Sequence, residues 1–324
     1  NTLANHIQCF SSFLRTLFSG AIGHDAVNIF FAPLLVGETY ESIKQTAQHL
    51  IFSFAQLASG SDVCFSDFNL YLDVPEHLKN SPAIGRGGKY TGKNYSEYEK
   101  EAKLFLKAIL EVALKGDANG ASFPFPKLDI HINEESFEEK NNELMDLICE
   151  LNSKRGSAYI LYDRGKGVKI SECCRLSLEI TGEELERMIK HPEDARFAAY
   201  QNITINLPRI AYKCKTIEEA HKEIDRLVKL IMSGHKDKFN YICKLMDIPN
   251  GPLSFLQKGM DGKPYLRREE AKFLVGMGGL NEMVKIFTGF DMHDSEQALL
   301  FGLEIMAYIN LAVKRESKEY GIKA

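Results

Sequence analysis

The chain has 324 residues, 44% hydrophobic and 26% charged, a balance that excludes a disordered or fibrous protein and allows one large core or two ordinary domains. Forty basic and 44 acidic side chains leave a net charge of −4, which excludes a generally basic surface for coating nucleic acid and leaves room for a local phosphate site. The sequence reads without an apolar stretch near the roughly 20 residues that cross a bilayer, and its seven cysteines lack regular spacing, so a reducing cytoplasm is the expected compartment.

The chain opens on Asn1, and Thr2 to Phe18 reads as an amphipathic helix with Ile7, Phe10, Leu14 and Leu17 at helical spacing. A second helix is predicted from Tyr40 to Ala58, with Ile43, Ala47, Leu50, Ile51 and Phe54 on one side. Cys64 to Leu72 alternates apolar with small or polar residues, as a strand does, and Pro75 ends it. Ser81 to Asn94 reads as a glycine-rich loop before a long amphipathic helix from Ser96 to Lys115. Further strands are expected at Leu128 to Ile132, Ala158 to Tyr162, Leu176 to Ile180 and Ile203 to Leu207, with helices from Glu134 to Asn152 and near Gly182 to Lys190. The remainder reads as mainly helical, interrupted by glycines, and closes on one long helix from Asp294 to Lys318. Strands alternating with helices predict an α/β protein, one barrel or large sheet wrapped by helices. Without a convincing linker, 1–324 is expected to be a single domain, cut from a longer protein at both ends.

The sequence contains no GxxxxGK[ST] loop, no HExxH and no pair of CxxC motifs, and no histidine pairs with a second ligand at metal spacing, so no metal ligands are predicted. Gly85-Arg86-Gly87-Gly88-Lys89 has the backbone N–H groups and the lysine to approach an anion, and equally the composition of a plain connection before a helix. Cys173-Cys174-Arg175 admits three readings: packed core thiols, a vicinal disulfide, or a reactive sulfur. A thiol suits radical transfer, because its S–H bond is weak enough to be remade after exchange with an activated sugar C–H bond.

Three segments select among these readings by their order: Cys173-Cys174-Arg175-Leu176, then Gln201 to Ile210 (QNITINLPRI), then Gly278-Gly279-Leu280-Asn281-Glu282. Upstream stand Ser66-Asp67-Phe68-Asn69-Leu70, Gly87-Gly88-Lys89-Tyr90-Thr91-Gly92 and Phe123-Pro124-Phe125-Pro126. Together they resemble the anaerobic ribonucleoside-triphosphate reductases, the oxygen-sensitive glycyl-radical class, in an archaeal-like form and from about Leu3 to Tyr320. The resemblance implies a ten-stranded α/β barrel with a cysteine on a central finger loop. That cysteine becomes a thiyl radical and removes the 3′ hydrogen of a ribonucleotide. It directly precedes an arginine in the family's motif, which carries the role to Cys174 and leaves Cys173 as its packing neighbour.

The same resemblance assigns catalytic parts to Asn202 and Glu282, and substrate contacts to Asn5, Arg175 and Asn206. An asparagine amide holds a ribose hydroxyl without charge, although Asn206, just before Leu207-Pro208, has the position of a residue that bonds backbone at a strand end. Glu282 has the chemistry to accept a proton or hold a hydroxyl, and also the position to complement a helix dipole. The implied partners are ribonucleoside triphosphates, dNTP and ATP effectors, a radical-SAM activase, and a second copy meeting the first across one or both of the helices Tyr40 to Ala58 and Ser96 to Lys115, whose apolar faces have packing on the barrel as their alternative use. Neither nucleic acid nor membrane is among them. No cofactor is expected on these residues themselves. The glycyl radical, made with S-adenosylmethionine and an iron–sulfur activase, and the zinc module belong to family segments with no match in this sequence, as does the ATP cone. The chain alone is therefore expected to be inactive. The rival reading is a non-catalytic relative or fragment that binds nucleotide or a partner subunit.

Overall fold

In the computed structural model, which describes residues 22–55, 58–59, 62–63, 65–163, 168–172, 176–180, 182–183, 186, 198–251, 253–257 and 262–324, the contacts divide the chain into two units, Asn1–Ala195 and Arg196–Ala324, each taken by itself below. The first predicted helix, Thr2 to Phe18, and the one near Gly182 to Lys190 lie wholly or mostly outside the described residues.

The first unit is built on β1 (Ile22–His24), α1 (Val27–Phe31), α2 (Tyr40–Ala55), β2 (Ser66–Tyr71), α3 (Glu76–Lys79), β3 (Pro82–Ile84), β4 (Tyr90–Asn94), α4 (Glu99–Lys115), β5 (Lys127–Ile132), α5 (Asn142–Arg155), β6 (Ala158–Tyr162), β7 (Val168–Glu172) and β8 (Leu176–Ile180). Strands β1, β2, β5 and β6 form one parallel sheet in that order, with Phe68 beside Leu128 and Leu128 beside Ala158. Parallel neighbours require crossovers, and α2, α4 and α5 supply them. The stripe on α2 is the one the sequence predicts: Ile43, Ala47, Leu50, Ile51 and Phe54 are all buried. An Asn94–Glu97 capping box opens the turn into α4, and Gly116 at φ 80° closes that helix. Phe105, Leu106 and Ile109 of α4 join Leu50 and Phe54 of α2 in one core with Leu70 and Ile130 of the sheet. These are the faces the sequence offers for a dimer. The unit's own core takes them up, so a dimer through α2 and α4 would need their other residues.

Two expectations are corrected here. The predicted loop from Ser81 to Asn94 is a hairpin of β3 and β4, whose turn uses Gly87 and Gly88 at φ 76° and 72°. The helix predicted from Glu134 begins only at Asn142, after two short turns, because Asn133 caps Ser136 and the Asn141 amide donates to Asp73 Oδ2 and to the Glu135 carbonyl. Strands β7 and β8 pair antiparallel, with Glu172 beside Leu176.

The second unit contains β9 (Ala198–Asn206), α6 (Leu207–Lys213), α7 (Ile217–Asp247), β10 (Ala271–Gly278), α8 (Leu280–Thr288) and α9 (Glu296–Tyr320). Strands β9 and β10 pair in parallel, and α6 and α7 lie between them in sequence. Strand β10 was not foreseen, since Gly276 and Gly278 read as breaks. By length and composition alone α9 could cross a membrane, which qualifies the opening reading of the sequence. Here it buries Ala298, Gly302, Ile305, Ile309 and Ala312 as a packed stripe, and its Tyr308 and Arg315 both bond Asp225 of α7, each at 2.9 Å.

Candidate functional site

The pleat of β9 sorts its residues. Ile205 is buried and Ile203 half-buried, whereas Asn202, Thr204 and Asn206 are exposed on the alternate face. Across the ladder Asn202 stands beside Leu274, Thr204 beside Gly276 and Asn206 beside Gly278. A Cβ built on Gly276 would lie 2.6 Å from Thr204 Oγ1 and 3.1 Å from Asn202 Oδ1. Both polar side chains therefore lean over one glycine, and any side chain there would displace them. Thr204 and Gly276 are the site residues that the sequence reading missed. The signal for both was the strand pairing, which makes Gly276 a floor and not a hinge.

At the carboxyl end of this strand pair the chain turns twice into a helix. Asn206 is the cap of α6: its Oδ1 accepts from the Arg209 backbone N–H at 3.0 Å, and Pro208 sits in the first turn. The backbone alternative raised for Asn206 is the one found. Gly279 at φ 75° opens α8, where a Cβ would lie 2.4 Å from Pro208 Cγ and 3.4 Å from Glu282 Oε2. Only glycine fits between Pro208 and the helix. Within Gly-Leu-Asn-Glu the two polar residues separate by task. Asn281 bonds Asp291 Oδ1 at 2.7 Å and accepts from the Met292 N–H at 2.8 Å, tying the turn between α8 and α9. Glu282 is exposed in the first turn of α8 and makes no ion pair among the described residues. Beyond complementing the helix dipole, its carboxylate remains available.

The result is a strand face carrying an amide and a hydroxyl, with a carboxylate at its end. Such a set can hold hydroxyl groups and take up a proton. Cys174, Arg175 and Asn5 lie outside the described residues, as does the thiol state of the Cys173–Cys174 pair. In sequence, 173–175 connect the paired strands β7 and β8. The described Cys149, Cys214 and Cys243 are free thiols. The glycine-rich run is accounted for as a turn, with Arg86 bonded to Glu38 Oε1 at 3.0 Å.

By the order and pairing of its elements the chain is an α/β protein with parallel strands linked through helices. The chain belongs to the anaerobic ribonucleoside-triphosphate reductase family, whose model matches residues 1–324. Among solved structures, it is similar to the anaerobic ribonucleotide reductase from Thermotoga maritima with glycerol in the active site, at a TM-score of 0.71 and 17% identity over 99% of this chain and 52% of that one. The same enzyme in complex with dATP and CTP gives a TM-score of 0.71 and 17% identity over 99% of this chain and 53% of the other. The chain thus spans about half the length of the solved structures it matches. No curated protein matches it in sequence.

Proposed function

We propose that this chain is the catalytic portion of an anaerobic ribonucleoside-triphosphate reductase, with 1–324 acting as one catalytic domain of the ten-stranded barrel type. The observation that carries the reading is the β9–β10 face, where Asn202 and Thr204 share the floor of Gly276 and Glu282 stands at the strand end. In this reading Asn202 holds a ribose hydroxyl, Glu282 holds a second or takes its proton, and Arg175 and Asn5 contact the substrate. The amide nitrogen of Asn206 is left for substrate once its oxygen has capped α6. Cys174 carries the reactive sulfur, and its position in sequence between the two strands of a hairpin is what a finger loop asks for. The glycyl radical of the family, raised by a radical-SAM activase, would supply the oxidising equivalent to that sulfur. The zinc module belongs with the same segment.

The substrates in this reading are ribonucleoside triphosphates, with dNTP and ATP as effectors and a second copy as dimer partner, in a cytoplasmic setting. The Thermotoga maritima reductase solved with dATP and CTP supports nucleotides as ligands. The test is made in the complete, activated protein. Asn202→Ala and Glu282→Gln should each suppress deoxynucleotide formation while the fold is retained, and unchanged turnover in both would overturn the reading.

A further inference from the structure

In the first unit, each of the four parallel strands has one polar group at its carboxyl end. Asp25 follows β1, Tyr71 ends β2, His131 stands one residue before the end of β5, and Asp163 follows β6. These groups are joined. The Tyr71 hydroxyl donates to Asp25 Oδ1 at 3.2 Å, and His131 Nδ1 faces the Asp163 carboxylate at 3.0 and 3.2 Å. The Tyr71 and His131 rings stack with centroids 4.2 Å apart, and His77 of α3 meets Tyr71 edge-on at 6.4 Å. His131 Nε2 faces Asn69 Oδ1 at 2.8 Å, and the Asn69 amide nitrogen donates to the His24 carbonyl at 3.5 Å, which sets the orientation of that amide.

The three rings are buried, at 5% exposure for Tyr71, 3% for His131 and 7% for His77. The two carboxylates are not: Asp25 is half-buried and the Asp163 side chain is 25% exposed. Each carboxylate takes one donor from the buried side and keeps lone pairs toward the open side. Among the described residues no lysine or arginine pairs with either. Ala26, directly after Asp25, adopts φ 45°, a left-handed conformation uncommon for a residue with a side chain, and so turns the chain at the strand end. In open α/β sheets, ligands bind outside the carboxyl ends of the strands.

The geometry points to a ligand site at this edge, formed by Asp25, Tyr71, His77, His131 and Asp163, that takes a molecule presenting two or more hydrogen-bond donors, as neighbouring hydroxyls or as an ammonium group. The buried Tyr71 and His131 hold the two carboxylates in place from behind, and the ligand supplies the further donors that no lysine or arginine provides among the described residues. The site is independent of the reductase reading.

The experiment uses the full chain with ¹³C-labelled histidine rings, following the His77 and His131 signals by NMR during titration with D-ribose, with methylammonium, and with acetate. A saturable shift with ribose alone assigns hydroxyls, one with methylammonium alone assigns an ammonium group, and acetate produces none. Asp163→Asn and Asp25→Asn should each weaken the response about tenfold or more. Both residues are partly exposed, so if one variant loses its fold the other carries the comparison. The inference is overturned by the absence of a saturable shift with either donor probe, by an equal response to acetate, or by a response that persists unchanged in the folded variants.

Discussion

Asp67 and Asp129 of the first unit and Asn202, Thr204 and Asn206 of the second are all polar residues on parallel strands, yet the two aspartates are 2% and 0% exposed and the other three face solvent. Lys127 bridges the buried pair, at 3.2 Å from Asp129 and 3.6 Å from Asp67. A charge taken from water is tolerated only with a partner in place, so the buried group is held mainly by its own pairing. The exposed face has no such constraint. Asn202 and Thr204 are aligned by Gly276 beneath them and are available to bond something other than protein, whereas Asn206 also caps α6. Polar residues in the first unit should therefore act first on stability, and those on β9 first on activity.

The largest effect is expected from removing the buried cation. Lys127→Met leaves two sealed carboxylates without it and should destabilise the chain by about 3–5 kcal/mol, read by urea denaturation. A loss below about 1 kcal/mol would place the pair in the surface class and erase the contrast.

His24 gives a pH-dependent version of the same argument. Its ring lies edge-on to Phe54 and Phe68 at 5.1 and 5.5 Å, and burial lowers its pKa from 6.5 to about 4. The fold favours the neutral ring. That stability is present in full above the unfolded value and is lost as the pH falls from about 6.5 toward 4, by about 3 kcal/mol. Denaturation at stepped pH should show the loss, and His24→Phe should flatten that part of the profile.

On the exposed side, Gly276→Ala sharpens the comparison, because the new methyl meets Thr204 Oγ1 and Asn202 Oδ1 before it meets backbone. A displacement of this size at a reacting site can lower turnover about 100-fold in the complete enzyme. The melting temperature of the chain should move only slightly. A large drop in stability with turnover intact would reverse the assignment.

The smallest effect is at Asn206. Asn206→Ala removes the cap of α6 and should cost about 1 kcal/mol, and Asn206→Ser should restore that stability. If turnover returns with serine as well, the residue acts through the cap. If only stability returns, the amide also contacts substrate.

Much of this fold is legible in the sequence where a period is strong. The stripe of α2, the apolar run of β6 and the length of α9 all follow from residue spacing, and the α/β alternation follows from them, whereas the parallel pairing is seen only in the structure. What escaped was decided by tertiary pairing. Ala271 to Gly278 reads as a broken segment until β9 lies beside it, because its glycines are there to admit Thr204 and Asn202. The late start of α5 depends on Asn141 reaching Asp73, a contact 68 residues away in sequence. The expectations at Asn202 and Glu282 rest on motif order. Thr204 has no distinguishing signal until its register is known, and the polar edge of the first sheet is assembled from four strands that no local pattern connects.

The central claim, that the chain carries the reactive sulfur of a ribonucleotide reductase, is tested most directly at Cys174. In the complete protein, activated under strict anaerobiosis, Cys174→Ser should abolish deoxynucleotide formation while folding and nucleotide binding remain, and Cys173→Ser should retain turnover with a stability loss of about 1 kcal/mol. Deoxynucleotide formation by the Cys174→Ser variant at the rate of the unmodified enzyme would contradict the account.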